Sequence, residues 1–522
     1  MFSSRRAAAL ALLLAAFGCR KSPPASRAVE RLAVVPFENL TGDESADWIA
    51  RLMPVVLSSQ LAGSRTVHAF PAASVRDAYG NRATLVLHGY LRRDASQGRR
   101  YVATVEDLSA VRARAHHETS EGNWLEAAWS LARAVDPQAR RYPAGDPASA
   151  KALLEPSPQT LAAALQKDPA LAPAHPALVR QLAGAGDRDA AIQAAERALS
   201  AKLPPIEEAE VRLVLSMLRS DLPARRQAVE TLASLKPADA AAAAGAALMA
   251  SNTGDQAKAV RFFEAALRSD PENGELWNQL GYAAAYAGDF EKAKSALERY
   301  RALAPESTNP LDSMGDIQLR FGRLREAEQS YLAAHKANPA FVGGMALWKA
   351  TLAAWASGDA KSAARHAARF LEQREKAGDP TAPIRRTRWE YLSGNREGAI
   401  ARVSALPGPL PAVLAAVWRA DASGAGGFAK PDQQALYVMD LIIQRRFAEA
   451  EPILRELSSA PNRENADKAR FLLAGVALEL GRKAEAAKAL AYWPIPDSDP
   501  DPVFETLALP RIVKWKQAAG AK

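Results

Sequence analysis

The chain is short of cysteine, of long apolar runs and of clustered charge, and each shortage removes a class of protein. Cys19 is the only cysteine among 522 residues, so no disulfide can form within the chain. After the first few turns of sequence no apolar stretch approaches the roughly 20 residues that a membrane helix needs. Lys and Arg exceed Asp and Glu by nine, yet the basic residues are scattered singly or in pairs such as Arg92-Arg93, Arg385-Arg386 and Arg445-Arg446. With no run of five and no basic stretch interleaved with aromatics, nucleic acid is not expected as a partner. Catalytic signatures are missing as well: there is no GxxxxGK(S/T) loop, no GxSxG elbow, no HExxH and no GxGxxG after a strand. The dispersed histidines and scattered carboxylates suggest neither a metal nor a cofactor, and no enzyme is expected.

What is present is a register. Pro271, Pro305 and Pro339 stand 34 residues apart, and Pro237 and Pro169 fall on the same count. Ala259, Ala293 and Ala327 keep it, as do Phe263, Leu297 and Tyr331, and Gly254, Gly288 and Gly322. Each column has a physical role. In the stretch from Glu275 to Pro305, Trp277, Leu280, Gly281 and Ala284 mark one face of a first helix, Gly288-Asp289 make the turn, and Ala293, Leu297 and Tyr300 line a second helix. Gly281 lets the paired helix come close, Gly288 suits a positive φ at the helix end, and Pro305 stops the second helix.

This αα-hairpin resembles the tetratricopeptide repeat, most closely from Gly254 to Pro339. The resemblance implies a mainly α fold: a right-handed α-solenoid of helix hairpins that holds partner segments in a groove lined by the first helices. The array is expected over 160–405, and its units lengthen after Pro339, where Ala327, Ala363 and Ala399 are 36 apart. A Pro- and Gly-rich joint follows at 406–430, two further hairpins around Ala450 and Ala486 at 431–493, and a tail or cap at 494–522. In the groove, Asn278, Tyr282 and Tyr286 of one unit and Asp312, Asp316 and Arg320 of the next are expected to meet a partner, with Trp348 and Trp355 seven residues apart on a later helix. The tyrosines and tryptophans would anchor apolar groups, and the polar residues would bond the partner's backbone. The Lys and Asn pattern that clamps a terminal carboxylate in this family is absent.

Ahead of the array, Leu32–Phe37 reads as a buried strand, Trp48–Leu61 as a helix, Val67–Phe70 as a strand, Ser74–Tyr79 as a short helix, and Thr84–Leu91 and Arg99–Leu108 as paired strands. The runs Ala33-Val34-Val35-Pro36-Phe37-Glu38-Asn39-Leu40-Thr41-Gly42-Asp43 and Val86-Leu87-His88-Gly89-Tyr90-Leu91-Arg92-Arg93 resemble the amino-terminal domain of the translocation protein TolB. That resemblance implies a small α/β interaction domain over 31–137, followed by a linker at 138–159. Asp43, Glu44 and Asp47 read as helix-start carboxylates. The adjacent His116 and His117 cannot face one way on a regular element, so they are not read as a ligand pair.

Arg5 and Arg6, the apolar run Ala7–Phe17 and then Gly18 have the pattern of an export signal over 1–18. Cys19 directly after it resembles the lipidated first residue of bacterial lipoproteins, and 19–30, with Pro23 and Pro24, reads as a tether. The expectation is a lipid-anchored envelope protein facing the periplasm, with Arg20 favouring the outer membrane, that serves as a scaffold for protein partners. Two other functions fit the sequence: a glycan- or wall-binding regulator of envelope synthesis, and a cytoplasmic signalling protein whose Cys19 is incidental.

Overall fold

The structure is a computed structural model that describes residues 29–93, 98–120, 122–460, 463–496 and 501–520. The expected export signal, Cys19 and nearly all of the tether lie outside the described residues. The chain divides into two compact units, Met1–Ala246 with Glu264–Pro271, and Ala247–Phe263 with Glu272–Lys522.

The first unit opens on a mixed sheet. Strands β1 (Glu30–Val34), β2 (Glu38–Leu40), β3 (Val67–Pro71), β4 (Leu85–Arg93), β5 (Arg99–Asp107) and β6 (Arg112–Thr119) lie in the order β3-β1-β4-β5-β6, with β2 beside the far end of β4. β1 runs parallel to both β3 and β4, while β4, β5 and β6 are antiparallel. Successive side chains of a strand face opposite ways. Leu32 and Val34 therefore join Leu87 and Tyr101 under helices α1 (Asp47–Gln60) and α3 (Trp124–Val135), while Ala33, Val35 and Val86 meet the short α2 (Val75–Gly80) on the other face. A strand covered on both faces must be apolar there, which is why Leu32, Ala33 and Val34 of β1 read as a continuous run. The expected strands and helices from Leu32 to Leu108 are all present, and β2, β6 and α3 are added to them.

The motif around Asn39 is a self-locking loop: Asn39 Nδ2 donates to the Asp43 carbonyl at 2.8 Å and to Asp47 Oδ1 at 2.6 Å. Asp43 Oδ1 accepts from the Ser45 backbone N–H at 3.0 Å, so it caps the turn Glu44–Ala46 as a helix-start carboxylate should. His116 and His117 do point to opposite faces, one toward Thr104 Oγ1 at 3.1 Å and the other toward Ser130 Oγ at 3.5 Å.

The stretch 138–159, expected as a linker, is built into the first unit's core. Tyr142 and Ala150 are buried in the cluster that holds the sheet and the first repeat helices α4 (Pro158–Lys167) and α5 (Ala174–Gly184). Arg140 fixes this segment. It donates from Nε to the Ser59 carbonyl at 2.8 Å and forms a two-pronged ion pair with Glu207, at 2.7 and 2.9 Å. Helices α6 (Arg188–Ser200), α7 (Pro205–Leu218) and α8 (Leu222–Leu235) continue the hairpins. The boundary between units runs through α9 (Ala240–Asn252) and α10 (Gln256–Ser269).

The second unit stacks α11 (Gly274–Ala287) on α12 (Phe290–Leu303), α13 (Asn309–Arg320) on α14 (Leu324–Ala337), α15 (Met345–Ala356) on α16 (Ala360–Lys376) and α17 (Ala382–Leu392) on α18 (Arg396–Ser404). Gly288 ends α11 in the left-handed region at φ 86°, the conformation that its place in the register asks for. The glycines about two turns inside α11 and α13 are a matter of space. A Cβ on Gly281 would sit 3.0 Å from Leu297, and one on Gly315 would sit 2.5 Å from the Tyr331 ring.

The lengthened repeat has a local cause: α12 and α13 are joined by 304–308, whereas α14 and α15 are joined by 338–344, two residues longer. The expected joint at 406–430 contains a helix, α19 (Pro409–Ser423), because Pro409 and Pro411 fall in its first turn, where no backbone N–H is needed. Two more hairpins follow, α20 (Gln434–Ile443) with α21 (Phe447–Ser458) and α22 (Arg463–Glu479) with α23 (Lys483–Leu490). The tail then turns back into the unit through Phe504–Ala508 and α24 (Leu509–Ala519).

Candidate partner-binding face

The first helices α11, α13 and α15 carry all eight residues singled out for the groove, and the structure brings Tyr282, Tyr286, Asp312 and Asp316 together around one cavity. Tyr282 on α11 donates its hydroxyl to Asp316 Oδ2 at 2.7 Å. Tyr331 on α14 donates to Asp316 Oδ1 at 2.8 Å. Lys349 on α15 reaches Asp312 Oδ2 at 2.7 Å and Asp316 Oδ1 at 3.0 Å. Asp312, Asp316 and Lys349 are all buried, so one ammonium serves two carboxylates in a site with little water.

The electrostatics follow from that count. Burial raises the Asp316 pKa, the neighbouring Asp312 charge adds to it, and the attraction of Lys349 only partly offsets them, leaving the group at about 6. Burial opposes the charge on Lys349, but Asp316 and Asp312 outweigh it and hold the ammonium above its ordinary range. Burial and the Asp316 charge keep Tyr282 and Tyr331 protonated and donating, well above the usual phenol value.

These groups border a cavity of about 220 Å³ lined by Gln279, Tyr282 and Tyr286 of α11, Asn309, Asp312 and Asp316 of α13, Met345, Ala346 and Lys349 of α15, and Phe341, Val342, Ile495 and Pro496. Val342, at φ 45°, holds a left-handed conformation that a β-branched residue rarely adopts, and it stands on the rim.

The rest of the face is covered by the chain itself. Arg320 stacks on Tyr286 with 4.2 Å from guanidinium to ring centre and pairs with Asp467 at 3.0 Å. The Trp493 backbone N–H donates to the Arg320 carbonyl at 2.8 Å, and Arg320 Nη1 returns a longer bond of 3.4 Å to the Trp493 carbonyl. Trp348 does not stand open in the groove. It is 1% exposed, packs on Phe370 with ring centres 5.2 Å apart, and donates Nε1 to Glu505 of the tail at 2.6 Å. Trp355 is half-buried against the same cluster, and Asn278 is buried with no donor to its Oδ1 among the described residues.

The tail is a structural part of the unit. Glu505, 2% exposed, also pairs with buried Arg388; Thr506 accepts from Trp418 Nε1 at 2.9 Å; and Trp515 lies flat over Gly475, where a Cβ would meet the ring at 2.0 Å. Lys516 donates to the carbonyls of Leu490 and Tyr492, and burial lowers its pKa to about 8.

Sequence reasoning missed Lys349, Glu505 and Arg388, and read Tyr331 only as a packing position of the repeat. A signal for the first was present: Lys349 is the one charged residue in the apolar helix Met345–Ala356, and a lysine there needs a buried partner. Among the described residues, no group of three or more His, Cys, Asp or Glu is placed to hold a metal, and no helix is long and apolar enough to cross a membrane.

A family model described as tetratricopeptide repeat matches residues 241–273 and 274–306, the hairpins α9–α10 and α11–α12. No curated protein matches the chain. Among solved structures, the crystal structure of MamA is 20% identical, with 31% of this chain and 94% of that one covered and a TM-score of 0.27. YrrB, described as a tetratricopeptide protein with an unusual peptide-binding site, is 20% identical over 37% of this chain and 96% of its own, with a TM-score of 0.29. PilW, described as a widely conserved type IV pilus biogenesis factor, is 18% identical over 39% and 93%, with a TM-score of 0.31.

Proposed function

Since the chain carries tetratricopeptide repeats, a fold that generally mediates protein association, we propose that it is a non-enzymatic scaffold of the bacterial cell envelope. It binds a segment of a partner protein against α11, α13 and α15, and is held to a membrane by a lipid on Cys19. The observation that carries the reading is the cavity between these first helices, where side chains from three successive hairpins converge and remain open after the tail has covered the neighbouring surface. Groove binding of an extended or helical segment would use that opening.

The test is a crosslinked pull-down of the full chain from its host's envelope, beside a Gln279→Trp variant. Gln279 is half-buried on the cavity wall, so a bulky ring there blocks the opening and leaves the charged network intact. A protein recovered by the native chain and lost by the variant supports the scaffold. An unchanged set of partners overturns binding at this face. Separately, Cys19→Ala should release the protein from membranes into the soluble fraction; a variant that stays in the membrane pellet would refute the lipid anchor.

A further inference from the structure

We propose that the cavity between α11, α13 and α15 is a receptor for a cationic side chain, a lysine ammonium or an arginine guanidinium, presented by the bound segment. This rests on the reading of that face as the partner-binding site and names what it selects.

Three observations carry it. Charge comes first: Asp312, Asp316 and Lys349 sum to one uncompensated negative charge when ionised, and the nearby Arg320 adds nothing because Asp467 already balances it. An added cation makes the site neutral. Next is the free acceptor. Asp312 is 8% exposed and lines the cavity, yet only its Oδ2 takes Lys349; no described residue donates to Oδ1. Asp316, in contrast, already accepts from Lys349 and two tyrosines. Finally there are the walls. Tyr282, Tyr286, Phe341, Met345, Ile495 and Pro496 offer rings and apolar surface on the way to the carboxylate, which suits an alkyl stem ending in a charged head. A bare divalent metal would need oxygen ligands on several sides, and one free carboxylate oxygen beside an ammonium is a poor start.

The experiment uses the full chain and two small probes that share a four-carbon side-chain stem and differ in the terminal ammonium, Nα-acetyl-lysine methylamide and N-acetyl-norleucine methylamide, followed by saturation-transfer NMR at millimolar concentration. The lysine probe should bind and the norleucine probe should not. Asp312→Asn, which is isosteric and leaves Lys349 paired with Asp316, should weaken the lysine probe about tenfold or more, as expected for losing a charge-assisted hydrogen bond. Gln279→Trp, away from the charged groups, should block it by filling the opening, so the inference does not depend on one variant's folding. Equal binding of the two probes, binding of neither, or lysine binding indifferent to both substitutions would overturn the proposal. A pull-down partner that is lost with Gln279→Trp but kept with Asp312→Asn would leave the scaffold reading standing and remove the cationic specificity alone.

Discussion

At the residue scale the molecule turns on charges that have been taken out of water and must find each other there. Lys349→Met should leave Asp312 and Asp316 buried without a counter-charge and cost about 3–5 kcal/mol in urea unfolding. The remedy is specific: Lys349→Met combined with Asp312→Asn and Asp316→Asn should recover much of the loss, and a triple variant no better than the single would contradict the pairing. A pH dependence follows from Asp316. Its pKa lies at about 6 in the folded chain against an ordinary 3.8, so folding takes up a proton between those values. The stability tied to this proton is therefore complete below the lower value and is lost as pH rises through the upper one. Asp312→Asn removes the like charge and should lower the Asp316 midpoint, which carboxyl-resolved NMR titration would register. None of this pairing could be read along the sequence, because Lys349 lies 33 positions from Asp316 and 37 from Asp312.

At the element scale, close approach decides. Gly315→Ala should drive a Cβ into the Tyr331 ring and cost about 1–3 kcal/mol. Gly288→Ala, at φ 86°, should cost about 1 kcal/mol through the helix end alone, and more to the extent that the new methyl presses on Tyr492 Oη, 2.7 Å away. Thermal unfolding of the two variants checks both, and a Gly315→Ala protein as stable as the native chain would show that the hairpin can open without penalty. These elements were legible because glycine, proline and apolar columns report local geometry that repeats. The strand β6 was not, since Arg-Ala-Arg-Ala-His-His-Glu-Thr carries no large apolar residue to mark a buried face; charged side chains on an edge strand guard it against further pairing. Helix α19 was hidden for a related reason, its prolines having been read as breakers when they occupy the one turn that tolerates them.

At the scale of the whole molecule, the second unit departs from a simple stack. In an open array each hairpin touches only its neighbours, and stability is close to a sum of local terms. Here Glu505 ties Trp348 of α15 to Arg388 of α17, Thr506 adds Trp418 of α19, and Trp493 with Asp467 holds Arg320 of α13. Hydrogen exchange should find α13, α15, α17 and α19 opening together. Glu505→Ala should separate them, with α17 and α19 exchanging earlier than α13, besides a loss of about 3–5 kcal/mol from breaking the buried ion pair with Arg388. Independent opening of the hairpins in the native chain would refute the coupling. The tail was legible as an end to the repeats but not as their fastener, since contacts such as the one between Trp348 and Glu505 span 157 positions.

That fastener bears on how such a chain can change over generations. A plain solenoid can gain or lose a unit by duplication or deletion, for the new neighbours look like the old ones. Inserting one hairpin between α15 and α17 would displace the later helices by two interaxial steps of roughly 8–10 Å each, and the carboxylate of Glu505 could no longer meet both Trp348 and Arg388. The number of hairpins in this stretch is therefore counted by the tail, and lineages of the protein should vary in loop length and surface sequence while keeping that number constant.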